Sequence, residues 1–93
     1  MTRLRIGIIG DFNPDLRPHL ATNEALRHAA QALSVDVDPI WIPTPELDRP
    51  DCVRTLDTYH ALWAAPCSPY DSMEGALRGI QFARERDWPF VGT

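Results

Sequence analysis

The sequence predicts an α/β domain built on a parallel β-sheet. Three observations carry this. Short apolar runs begin near residues 4, 35, 59 and 88. Two longer stretches with helical periodicity separate the first run from the second and the third from the fourth. Turn formers follow the runs, with Gly10-Asp11 after the first and Pro66 after the third. Strands that alternate with helices imply parallel pairing and right-handed crossovers.

The elements follow in order. Leu4 to Gly10 is a nearly unbroken apolar run, as expected for a strand covered on both faces. Residues 11–15 are turn formers and read as a loop. A helix is expected from about Leu20 to Leu33, with Asn23, Leu26, Ala29, Ala30 and Leu33 on one stripe. Thr22 is its expected N-cap, unless the chain enters one turn earlier, after Pro18. Val35 to Pro43 is the second strand. Between 43 and 58, Pro43, Pro45 and Pro50 interrupt any long element, leaving a short helical turn around Cys52-Val53-Arg54. Tyr59 to Ala65 is the third strand, and Pro66 to Tyr70 a tight loop at its end.

In the last helix, Asp71 is read as the N-cap and Glu74 as its partner three residues on. Met73, Ala76, Leu77, Ile80 and Ala83 form its expected apolar stripe. Arg84 and Arg86 suit the negative end of the helix dipole, and Pro89 stops the helix. Trp88 to Val91 starts a fourth strand.

Composition excludes several functions. The 93 residues suffice for one domain, and 44% hydrophobic with 24% charged is ordinary for a globular chain. A net charge of -4 argues against a nucleic-acid surface. No apolar run approaches the roughly 20 residues of a membrane span. Residues 6–9 are too short for a secretory core, so a cytoplasmic protein is expected. Cys52 and Cys67 are expected as free thiols, and two cysteines with three scattered histidines show no zinc spacing.

Ligands of open α/β sheets sit beyond the carboxyl ends of the strands. Four segments qualify: Gly10 to Asn13, Pro43 to Pro45, Pro66 to Tyr70, and Gly92-Thr93. Gly7 and Gly10 do not make the G-x-G-x-x-G of a dinucleotide site. A phosphoacceptor receiver needs an acidic residue at the end of the third strand, where this chain has Ala64-Ala65-Pro66. Asp11 is read as a strand-end turn former more than a ligand. His19, His28 and His60 are read as ordinary surface or strand-flank residues, and Trp41, Trp63 and Trp88 as core aromatics.

The third segment and its surroundings resemble a known family. The strand ending in Ala65-Pro66, the compact loop and the helix that follows are similar to the oxyanion loop region of class I glutamine amidotransferases, nearest the CTP synthase type. The resemblance rests on Glu74-Gly75, Phe82-Ala83-Arg84-Glu85 and Trp88-Pro89-Phe90-Val91-Gly92. It rests also on Arg5 to Gly10 and on Asn23-Glu24-Ala25-Leu26-Arg27-His28-Ala29. It covers nearly the whole chain, with 43–58 adding little.

The resemblance implies a flavodoxin-like parallel sheet and glutamine as substrate. It implies a cysteine thiolate that attacks the glutamine side-chain amide, forms a glutamyl thioester and releases ammonia. It carries the backbone N–H of Ser68 over as an oxyanion donor, with Pro69 and Tyr70 lining the substrate pocket. The family's Gly-Gly at this loop stands here as Cys67-Ser68, a departure compatible with a silent binding or regulatory module. Gly92-Thr93 match the start of the G-x-C-x-G nucleophile elbow. Residues 1–93 are thus expected to be the N-terminal part of such a domain, ending just before the nucleophile. Cys67 precedes no elbow and is read as a loop thiol. The resemblance implies no cofactor in this domain, ATP and Mg only at a separate synthase site, a synthase domain or subunit as partner, and leaves oligomerisation open.

Overall fold

A computed structural model describes residues 3–49, 51–65 and 70–92. Four parallel strands, β1 (Arg3–Ile9), β2 (Asp36–Ile42), β3 (Ala61–Ala64) and β4 (Phe90–Gly92), form one sheet in the order β2-β1-β3-β4. Helix α1 (Arg17–Leu33) joins β1 to β2. Two short helices, α2 (Thr44–Leu47) and α3 (Cys52–Leu56), lie between β2 and β3, and α4 (Met73–Glu85) joins β3 to β4. The expected α/β class and parallel sheet are the ones observed.

β1 is covered on both faces, because Ile8 and Ile9 point to opposite sides and both are fully buried. Trp41, in register with Ile8, faces α1 through a 2.8 Å bond from its Nε1 to Asn23 Oδ1. Ile42, in register with Ile9, joins the main core with Leu47, Leu56, Leu62, Phe82 and Ala83. The segment read as irregular therefore supplies two of the most deeply buried side chains, Leu47 and Leu56. Its prolines do not prevent this, since Pro45 stands in the first turn of α2, where its missing N–H costs nothing.

Two helices differ from their sequence reading. α1 starts at Arg17 with Pro18 in its first turn, so Thr22 is not its cap. Thr22 is buried inside the helix, and its hydroxyl donates to the Pro18 carbonyl at 2.9 Å. Leu33, expected on the buried stripe, is 71% exposed. α1 meets the sheet mainly through its first half, where His19 and Thr22 are buried, and a groove of about 630 Å³ opens between its second half and β2.

In α4 the cap is Ser72, whose Oγ accepts from the Gly75 N–H at 3.1 Å; Asp71 lies one residue outside. The buried face is Gly75, Ala76, Gly79, Phe82 and Ala83, while Met73 and Leu77 are half exposed. Two glycines on the inner face let the helix lie close to its neighbours, and that rotates the contact face away from the larger side chains.

His19 also departs from expectation. It is 3% exposed, its Nδ1 accepts from the Asn13 N–H at 3.0 Å, and its ring packs against Trp41 and Phe12. Trp88 packs edge-on against Phe82 and donates to the Tyr59 carbonyl, as a core aromatic should.

Candidate functional site at the carboxyl ends of the strands

β1 sends the chain to one side of the sheet through β2 and to the other through β3, so the topological switch lies between β1 and β3. Their carboxyl ends are the expected ligand position for this architecture. Parallel pairing extends past the strands here: Gly10 N–H donates to the Ile42 carbonyl at 3.1 Å, and Ala65 N–H to the Ile9 carbonyl at 3.0 Å. Gly10 is needed at this point. A Cβ on it would come within 2.9 Å of the Ala65 Cβ and 3.2 Å of the Trp41 ring.

Asp11, directly after Gly10, joins three chain segments. Its Oδ1 accepts from the Thr44 N–H at 2.8 Å. Its Oδ2 accepts from the Thr44 hydroxyl at 2.8 Å and from the Asp71 N–H at 2.9 Å. The Thr44 hydroxyl in turn accepts from the Ser72 N–H at 2.8 Å. Thr44 is fully buried with both hydroxyl functions used. Hydrogen bonds to a carboxylate are stronger than those between neutral groups. The sequence reading of Asp11 as a turn former thus misses its main role.

Thr44 and Ser72 were also missed as members of this network. The available signal was their placement, Thr44 two residues past the second strand and Ser72 at the foot of the last helix.

Of the expected site residues, Ser68 and Pro69 lie outside the described residues, as does the loop thiol Cys67. Tyr70 is half-buried, packs against the main core, and donates from its hydroxyl to the Ala65 carbonyl at 2.7 Å. Burial first, and the negative charge of Asp11 second, push its hydroxyl above the ordinary tyrosine pKa. Gly92 at the tip of β4 is in register with Ala64 at the tip of β3. The end of the last strand and the residues flanking positions 66–69 therefore lie at the same edge of the sheet.

Below this edge α4 is pressed against the turn after β2. A Cβ on Gly75 would stand 1.8 Å from the Thr44 carbonyl oxygen, a contact only glycine avoids. Arg78, one turn on, reaches Asp48 at 3.6 Å. Among the described residues no three His, Cys, Asp or Glu side chains gather as a metal site, and no helix is long and apolar enough to cross a membrane.

Comparisons with known proteins agree with this arrangement. No protein-family model matches the chain. A CTP synthase of Herpetosiphon aurantiacus is 29% identical over 87 residues, covering 94% of this chain and 16% of that protein. A CTP synthase of Bartonella henselae is 32% identical over 87 residues, again 94% of this chain and 16% of the relative. The chain thus spans about a sixth of the length of the curated relatives it matches. The glutaminase domain of Trypanosoma brucei CTPS, solved with bound acivicin, superposes with a TM-score of 0.82 at 20% identity, over 96% of this chain and 35% of that one. Sequence relationship over almost the whole chain and a shared fold lead to one conclusion: the chain belongs to the CTP synthase-like class I glutamine amidotransferases.

Proposed function

We propose that the chain contributes the oxyanion side of a glutamine-hydrolysing domain of CTP synthase type. In this reading the Ser68 backbone N–H faces the carbonyl oxygen of the glutamine side chain, and Pro69 and Tyr70 border the substrate. A cysteine thiolate attacks the amide carbon. The oxygen gains negative charge in the tetrahedral intermediate, and a fixed N–H donor there is worth about 3 kcal/mol of barrier. Collapse expels ammonia and leaves a thioester, which water hydrolyses to glutamate. The ammonia passes to a synthase domain or subunit, where a nucleotide activated by ATP and Mg accepts it.

The observation that best supports this reading is the common level of the β3 and β4 tips, with Ala65 and Tyr70 beside them. That is where a loop donor and a nucleophile leaving the last strand would meet one substrate. A second reading keeps the fold without the chemistry. It is favoured by Cys67-Ser68 in place of two glycines, because side chains restrict the backbone conformations that a loop donor needs.

The two separate in one assay of the complete gene product. Release of ammonia and glutamate from glutamine, blocked by a thiol-alkylating glutamine analogue, is expected for the enzyme. Absence of ammonia release from folded protein refutes it and favours the binding module.

A further inference from the structure

We propose that His60 is a pH-sensitive latch on the amino-terminal end of the β1–β3 pairing, its neutral imidazole standing in for a backbone acceptor. The parallel register sets what this position requires. Where two residues are in register, the N–H that faces the neighbouring strand reaches the carbonyl one place before the partner. Leu62, in register with Phe90, donates in this way to Pro89 at 2.9 Å. Ile6 is in register with Ala61, so Arg5 stands opposite His60 and its N–H is due at the Tyr59 carbonyl. That carbonyl accepts from Trp88 Nε1 at 3.0 Å. The Thr58 carbonyl accepts from Arg5 Nη1 at 3.3 Å, and the Arg5 guanidinium lies 4.9 Å from the centre of the Tyr59 ring.

The Arg5 N–H turns to the imidazole instead. His60 Nδ1 accepts from it at 2.9 Å, and the His60 N–H donates to the Arg5 carbonyl at 2.8 Å. The two bonds close a ring between the same two residues and extend the pairing of β3, a strand of only four residues. Nδ1 accepts only while it carries no proton, so the bond fixes the tautomer with hydrogen on Nε2. His60 is exposed, and its ring exchanges protons with solvent.

When the imidazole takes up a proton, both ring nitrogens become donors, and Nδ1 meets the Arg5 N–H donor to donor. A second positive charge also appears beside Arg5. Further charges at this end of the sheet, among the described residues, are Arg3 on β1, Asp36 and Asp38 on β2, Asp57 before β3, and Arg86 and Asp87 before β4. Asp38 lies 3.8 Å from Arg3. Arg5 is bonded directly to His60, so the clash of donors and the like charge act together. The latch is closed at high pH and opens as pH falls through the range of about 5 to 8 in which imidazoles gain their charge.

The complete gene product tests this, with histidine and arginine isotopically labelled at nitrogen and followed by NMR from about pH 8 down to about pH 5. At the upper end His60 should carry hydrogen on Nε2 and none on Nδ1. The Arg5 amide proton should shift with the same midpoint as the His60 ring. Its exchange, corrected for the intrinsic effect of pH, should quicken by about fivefold across that step. His60→Ala should abolish the step and leave exchange fast throughout. His60→Asn, whose amide oxygen takes the place of Nδ1, should abolish the step and keep exchange slow. An Arg5 amide that stays still while the His60 ring titrates overturns the latch, as does hydrogen on Nδ1 at the upper end. If His60→Ala does not fold, His60→Asn decides: a step of wild-type size in that variant overturns the proposal. None of these readings depends on ammonia release.

Discussion

Gly75→Ala is a sharp test of how α4 is seated. Helix propensity alone makes it stabilising by about 1 kcal/mol, because glycine is the poorest ordinary helix former and Gly75 lies within α4. Packing predicts the opposite. The added Cβ would lie 1.8 Å from the Thr44 carbonyl oxygen and 3.2 Å from the Asp48 backbone nitrogen. Real Cβ atoms essentially never come within 3.0 Å of such atoms, so α4 and the turn after β2 must part by about 1.2 Å. Both obstacles are backbone, and no rotamer change relieves them.

The same separation stretches the 2.8 Å bond from Ser72 N–H to Thr44 Oγ1 to roughly 4 Å, beyond hydrogen-bonding range. Overpacking costs about 1–3 kcal/mol, and the lost bond about 1 more. After the propensity gain, a net loss of about 1–3 kcal/mol remains. For a domain of this size that lowers Tm by about 4–24 °C.

Gly79→Ala is the matched control. Its Cβ would meet the end of the Ile9 side chain at 2.6 Å and Leu47 Cδ1 at 3.3 Å, atoms that can shift by rotation. It should cost no more than about 1 kcal/mol. Urea or thermal unfolding of both variants decides the matter. A Gly75→Ala protein as stable as wild type would refute the close seating of α4 on Thr44.

Two further outcomes are expected. Ser72→Ala should cost about 1 kcal/mol through loss of the cap on the Gly75 N–H, whereas Asp71→Ala should stay within about 0.5 kcal/mol, since among the described residues it is the Asp71 backbone N–H that is engaged; equal losses in chemical unfolding would reverse the assignment of the cap. Tyr59 and Tyr70 both have hydroxyls raised above the ordinary tyrosine pKa of 10.0, in each case chiefly by burial, so the stability they contribute is complete below pH 10.0 and declines as pH climbs through their higher folded-state values. Unfolding free energy followed from neutral to strongly alkaline pH should show that decline, weaker in Tyr70→Phe, and a loss already complete below pH 10.0 would contradict the burial of both rings.

The parallel sheet and four of the strands were legible because their signals are local. An apolar run ending in Gly or Pro marks a buried strand whatever surrounds it, and residues 4–10 and 59–65 are of that kind. The family resemblance was legible for a similar reason, since it rests on short strings of adjacent residues. The failures share the opposite property. Asp71 fits the pattern of an N-cap as well as Ser72 does, and the choice falls to Ser72 because the Asp71 N–H is drawn to Asp11, 60 positions away in sequence. The apolar stripe of α4 was misplaced because hydrophobicity favours Met73 and Leu77, while the fold presses the helix against Thr44 and Ile9 through Gly75 and Gly79. Periodicity weighs side chains by their water aversion and gives no weight to a glycine whose virtue is the absence of a side chain.

By itself, then, the sequence determined the class of fold, the order of its strands along the chain and the family to which it belongs. These follow from the alternation of apolar runs with helical stretches and from motifs of adjacent residues. Tertiary structure alone decided which side chains serve the strand-end site. Asp11, Thr44 and Ser72 are far apart in the chain, and no local pattern links them. They meet because strands β1 and β2 pair in parallel register and α4 returns over their carboxyl ends, so that a carboxylate at the end of one strand is the nearest acceptor for N–H groups that would otherwise go unpaired at the others.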